Sequence, residues 1–239
     1  MPYNMATLSP MKRFWLAKNS NLPIRFQGWD RQSVIDDTGS FPVEIDDWLD
    51  DMGKGKVILN PGGLGTTGVG LLFDGGPGLG KTTHAVVAAV QFVLNLPDDE
   101  AEMNKILHFP EGTLGLKSRV IRYYTFPEFL AFKKSAFDAD LDDRRELNRV
   151  IEGLHGRAEE DWLNVRILII DDLGKEKGSK YEDVAFDELL RARYDRGLPT
   201  IVTTNVNRDD WGVQYSDAMG SFAFEAFSNV RIVSKDLRK

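Results

Sequence analysis

The chain has 239 residues, 42% hydrophobic and 28% charged, the make-up of an ordinary globular domain with a substantial core. A formal charge of -7 argues against coating nucleic acid by bulk electrostatics, although it is compatible with a local basic groove. With no cysteine, disulfides and thiolate metal sites are excluded and the redox compartment stays open.

The N-terminal stretch MPYNMATLSPMKRFWLAKN has no long apolar core and no small-residue cleavage pattern, and no 18-residue apolar run follows it. Export and membrane spanning are therefore not expected, and a cytoplasmic protein is the default. Met11, Phe14 and Trp15 form a short amphipathic patch, with Lys12, Arg13 and Lys18 on its other sides. The stretch NSNLPIRFQGWDRQS reads as irregular. Ile45, Trp48, Leu49 and Met52, at spacings of three and four, predict a helix whose outer face carries Asp46, Asp47, Asp50 and Asp51.

NPGGLGTTG, residues 60–68, predicts a flexible turn into a strand from Val69 to Phe73. Residues 81–96 predict a helix that is apolar nearly all round and so buried on several sides. A loose insertion to about Leu116 then precedes a second strand, Arg119 to Tyr124. Thr125-Phe126-Pro127-Glu128 matches a capping box with proline in the first turn. The helix it opens is expected to bury Phe126, Phe129, Leu130 and Phe137 and to carry Lys133 and Lys134. Leu147, Val150, Ile151, Leu154, Ala158 and Trp162 recur on one stripe and predict a longer helix. There follow the run VRILIIDDLG, a helix from about Glu182 to Arg196, the run PTIVTTN, a helix near residues 215–227 and a last strand NVRIVS. Five apolar strands separated by helices predict a parallel α/β sheet covered on both faces.

Gly75-Gly76-Pro77-Gly78-Leu79-Gly80-Lys81-Thr82 fits the spacing of a phosphate-binding loop, G-x-x-x-x-G-K-[ST]. Glycines let backbone N–H groups converge on phosphates, and the helix that follows points its positive end there. The expected nucleotide contacts are Gly76, Pro77, Gly78, Leu79, Gly80, Lys81, Thr82 and Thr83, with Lys81 reaching the β/γ-phosphates. ILIIDD places two carboxylates at the end of a buried strand. Asp171 is expected to hold Mg²⁺ with the Thr82 hydroxyl, and Asp172 to polarise an attacking water. The next run ends Thr203-Thr204-Asn205, where Asn205 either positions that water or marks a plain turn.

GLLFDGGPGLGKTTHA, ILIIDDLG and LLRARYDRGLPTIVTTN, in that order and spacing, resemble the AAA+ ATPases of the DnaC-type helicase loaders and IstB-type transposition helpers. LPIRFQGW is similar to the segment that precedes the phosphate loop there. The resemblance implies a five-stranded parallel P-loop sheet flanked by helices over residues 21–239, ATP with Mg²⁺ at a subunit interface, self-association, and single-stranded DNA as the polymer engaged. Residues 1–20 then form a short separate segment: its aromatic patch is either a reduced docking element for a partner or folds back on its own domain. No C-terminal lid domain is expected.

One departure concerns the late arginine that such families offer to a neighbouring subunit. MGSFAFEAFSNVR has none before Arg231. A trans arginine supplies roughly 10³ to 10⁵ in rate, so its loss implies slow turnover or a substitute. Arg231 and Arg193 are the substitutes carried forward, beside Arg191 and Arg196; Asp187 and Arg191 also suit an ordinary helix pair. Lys133 and Lys134 are the candidates for contacting DNA phosphates, with Phe132 or Phe137 stacking; a solvated lysine pair is the plainer alternative.

The leading expectation is thus an ATP-dependent loader of a replicative helicase onto single-stranded DNA, assembling with ATP and releasing on hydrolysis. The alternatives are an IstB-like transposition ATPase and a slowly hydrolysing nucleotide-binding switch.

Overall fold

A computed structural model describes residues 3–57, 68–174 and 180–232. The expected turn at 60–67 and the chain beyond Ile232 lie outside the described residues. Helices α1 (Pro10–Lys18), α2 (Arg31–Thr38) and α3 (Val43–Gly53) precede the first strand, β1 (Gly70–Asp74). The phosphate-loop helix is α4 (Lys81–Asn95), followed by α5 (Glu100–Leu107) and β2 (Ile121–Thr125). Two packed helices, α6 (Phe126–Asp138) and α7 (Leu141–His155), lead to β3 (Ile167–Leu173). Then come α8 (Lys180–Tyr194), β4 (Thr200–Thr204), α9 (Trp211–Gln214), α10 (Asp217–Ala226) and β5 (Phe227–Arg231).

The five strands form one parallel sheet in the order β2-β3-β4-β1-β5. Alternation along each strand sorts its side chains into two cores. Leu71, Phe73, Ile167, Ile169 and Ile201 pack against α1, α3, α4 and α5. Leu72, Leu168, Ile170 and Val202 face α6, α7, α8 and α10. β4 lies between β1 and β3, so the carboxyl ends of these three strands meet in one crevice, the usual ligand position of an open parallel sheet.

Several elements differ from their sequence-based expectation. The stretch read as irregular contains α2, capped by reciprocal bonds between Asp30 and Ser33. The loose insertion contains α5, whose N-cap Asp99 accepts from the Glu102 N–H and whose Met103 and Leu107 are buried one turn apart. The long helix stops at His155 because Gly156 takes φ +76° and closes its C-terminus, leaving Ala158 and Trp162 outside it. Phe137 is 66% exposed at the end of α6, where a buried position was expected. The capping box of Thr125 and Glu128 forms as predicted.

The N-terminal segment lies on the main core. Trp15 and Leu16 are buried in it, and the Trp15 indole N–H donates to the Gly115 carbonyl at 3.0 Å. Lys12 is buried as well, its ammonium donating to the Leu96 carbonyl and lying 2.9 Å from Asp98. A cation at the carboxyl end of a helix meets the negative pole of its dipole, so Lys12 ties α1 to the far end of α4.

Candidate nucleotide site

The loop from Gly75 to Gly80 leaves the end of β1 and enters α4. Gly75, Gly78 and Gly80 have φ of +135°, +83° and +81°, a region that side chains disfavour. Gly80 is the N-cap of α4, and among the described residues no side chain caps that helix. The N–H groups of its first turn therefore face the crevice as a ready anion site. Lys81 folds back over the loop, its ammonium donating to the carbonyls of Gly75 at 2.8 Å and Gly76 at 2.7 Å and to Asn205 Oδ1 at 2.8 Å.

Asp171 and Asp172 end β3 differently. Asp171 is 2% exposed; its Oδ1 accepts from the hydroxyls of Thr82 at 2.8 Å and Thr203 at 2.5 Å, and its Oδ2 from the Tyr123 phenol at 2.7 Å. Asp172 takes φ +62°, at a break in register between β3 and β4 that spans Ile170 to Leu173. This bulge turns its side chain out of the strand's alternation and into the crevice. Its backbone N–H donates to the Thr203 hydroxyl at 3.0 Å, which fixes the bulge to β4.

A cavity of about 520 Å³ joins Pro77 to Thr83, Asp172 and Asn205 with Arg25, Phe26, Trp29 and Asp37 from the segment before α3. The structure places the first group, all expected from the sequence, around one cavity. Sequence reasoning missed Arg25, Trp29 and Asp37 as cavity-lining groups, although LPIRFQGW had been singled out. It also missed Tyr123, whose hydroxyl meets a carboxylate 48 positions away. Burial, followed by the charge of Asp171, raises the Tyr123 pKa, so the phenol is a neutral donor here. Burial lowers the pKa of His84 on α4, whose neutral ring donates Nδ1–H to the Gly80 carbonyl at 2.9 Å.

The donor set fits a nucleotide carrying a hard divalent cation. The uncapped helix start and Lys81 suit phosphate, and the hydroxyl of Thr82 with the carboxylate of Asp171 offers oxygen ligands of the kind Mg²⁺ takes.

The remaining candidates are scattered. Arg193 is 0% exposed and donates to Thr200 Oγ1 and to the carbonyls of Leu154, Val165, Arg166 and Pro199. Apart from Leu154 of α7, these acceptors lie at the amino ends of β3 and β4, opposite the crevice, so Arg193 is a strut inside the fold and is corrected as a candidate for a neighbouring subunit. Arg231 is exposed on β5 and lies 3.7 Å from the buried Asp74 of β1. Lys133 is mostly covered and 3.1 Å from Glu188, whereas Lys134 stands over the Tyr181 ring at 5.7 Å.

Fold and crevice together define a P-loop protein of the parallel α/β class. The structure of the DnaC helicase loader superposes with a TM-score of 0.54 at 19% identity, covering 88% of this chain and 100% of that one. DnaI superposes with a TM-score of 0.52 at 17% identity, covering 90% and 96%. The chain thus shares the five-stranded fold of these proteins. No protein-family model matches it, and no curated protein matches its sequence. Among the described residues no helix is long and apolar enough to cross a membrane.

Proposed function

We propose that the chain is an Mg²⁺-dependent ATPase acting as a loader of a replicative helicase onto single-stranded DNA. The observation that carries the nucleotide reading is the convergence of Lys81, Thr82, Asp171, Asp172 and Asn205 on one crevice from three adjacent strands. The fold shared with the DnaC loader over nearly its whole length supports the loader reading.

Lys81 and the N–H groups of the loop bind the phosphates of ATP, Lys81 giving up its carbonyl partners to do so. Thr82 and Asp171 would hold Mg²⁺, which would supply neutralisation of the charge that develops on the transferred phosphoryl group. Asp172 polarises water for attack, and Asn205 orients it. ATP occupancy favours self-association with the site at the subunit interface, and hydrolysis favours release. Arg231 is the exposed arginine kept for the neighbouring site; with its partner Asp74 beside the loop, turnover is slow unless assembly frees it. Exposed Lys134 and Phe137 at the end of α6 are the DNA-contacting candidates, with Lys133 held back by Glu188.

The test is a pull-down from the source cell with Asp172→Asn as an ATP-bound trap. Stoichiometric recovery of the replicative helicase supports the loader reading, and recovery of a transposase in its place replaces it with a transposition role. Labelled single-stranded DNA titrated with and without ATP tests the polymer. Tighter binding with ATP is expected, and equal, negligible affinity in both overturns that part.

A further inference from the structure

Asp171 is only 2% exposed, and three hydroxyls donate to its carboxylate. Thr82 stands on the phosphate-loop helix and is itself a candidate cation ligand. Thr203 already has a second task, since its oxygen accepts the Asp172 N–H while its proton goes to Asp171 Oδ1. The third donor comes from outside the crevice. In the β2–β3 register Asp171 stands beside Thr125, so the phenol of Tyr123 reaches along β2 from two residues earlier to meet Oδ2 at 2.7 Å. Its ring is packed into the main core with 6% exposure, which limits where the hydroxyl can go.

This arrangement divides the carboxylate into two unlike oxygens. Oδ2 is tied to the edge strand β2, and Oδ1 faces the helix that carries Thr82. Without the phenol, Oδ2 loses its donor and the carboxylate is held through Oδ1 alone. We propose that Tyr123 is a positioning residue of the Mg²⁺–nucleotide site, anchoring Oδ2 of Asp171 so that Oδ1 is presented to the Thr82 hydroxyl. The proposal rests on the ATP–Mg²⁺ reading above. Groups that orient a metal-ligating carboxylate in this way typically govern metal affinity by about 10- to 100-fold.

Tyr123→Phe keeps the ring and its packing and removes only the hydroxyl. The probe is a fluorescent, non-hydrolysable ATP analogue, titrated against the purified full chain in EDTA and over a range of Mg²⁺ concentrations. The Mg²⁺ concentration giving half-maximal enhancement of binding is expected to rise about tenfold in the variant, while affinity in EDTA stays within about twofold of wild type. A nucleotide-free melting curve checks that the core is intact. An unchanged Mg²⁺ midpoint, or an equal loss in EDTA and in Mg²⁺, overturns the positioning role. Wild type that binds the analogue with no Mg²⁺ dependence overturns the ATP–Mg²⁺ reading, and this proposal with it.

Discussion

The ammonium of Lys81 lies 2.8 Å from Oδ1 of Asn205, a hydrogen bond between residues 124 positions apart that joins the phosphate loop to the tip of β4. The neighbouring strands make the meeting possible, since β4 pairs directly with β1. Lys81 is thereby held over the loop, where its ammonium donates to the Gly75 and Gly76 carbonyls and to the Asn205 amide oxygen. Phosphate oxygens are stronger acceptors for an ammonium than carbonyls or an amide.

The two residues are expected to separate binding from turnover. Lys81→Met removes the ammonium from these loop contacts and should weaken nucleotide binding at least tenfold, following the 1.5–3 kcal/mol of a charged hydrogen bond. Asn205→Ala should leave binding near wild type and slow turnover about 10²- to 10³-fold, the scale of losing one positioned polar group. Equilibrium binding and phosphate release on the same preparations check both.

Arg193 should matter for stability and not for the site. Burial, with Arg166 nearby, lowers its pKa to about 9, so it is still charged at pH 7. All five of its N–H groups are used. Arg193→Met removes a donor from four buried carbonyls and a hydroxyl; the Pro199 carbonyl keeps the Leu168 N–H at 3.3 Å, and each acceptor left unpaired costs about 1–3 kcal/mol. The expected loss, about 4 kcal/mol or more, is a large share of the 5–15 kcal/mol of a typical domain. Urea denaturation measures it, and a midpoint equal to wild type contradicts the assignment.

Acid should destabilise the fold in two separate windows. His84 and His155 are 3% and 1% exposed, and burial lowers the pKa of each. His155 donates Nδ1–H to the Ile151 carbonyl at 2.8 Å, and its Nε2 has no hydrogen-bond partner among the described residues. An unfolded histidine titrates near 6.5, so below that value the unfolded chain binds more protons than the folded one. Their stabilisation is complete above about pH 6.5 and is lost, at up to about 1.4 kcal/mol per unit for each, as pH falls towards the folded values. The carboxylates lowered by cations, Asp98, Glu160 and Glu188, act only at lower pH, as they protonate. Urea midpoints at pH 7.5 and 5.5 isolate the histidines: a fall is expected, and a constant or rising midpoint contradicts it.

The parts legible in the sequence are those whose physics is local. The loop needs its glycines and lysine at fixed spacing, the runs before Asp171 and Asn205 are too apolar for anything but buried strands, and the Thr125 box states its own helix start. α2 and α5 escaped because each is only two turns long, too short for an apolar stripe to repeat. The exposure of Phe137 depends on where α6 ends. Arg193 and Tyr123 were illegible for a different reason. Their partners come from other elements, and nothing near Arg193 in sequence says that carbonyls of Leu154 and Val165 converge on it.

Asp172 provides the most direct test, because asparagine tolerates the left-handed backbone that Asp172 adopts and removes only the charge. The measurement is ATP turnover of wild type and Asp172→Asn with both saturated by ATP and Mg²⁺. The account predicts comparable ATP affinity and a fall in turnover of about 10²-fold or more. Equal turnover in the two proteins contradicts it.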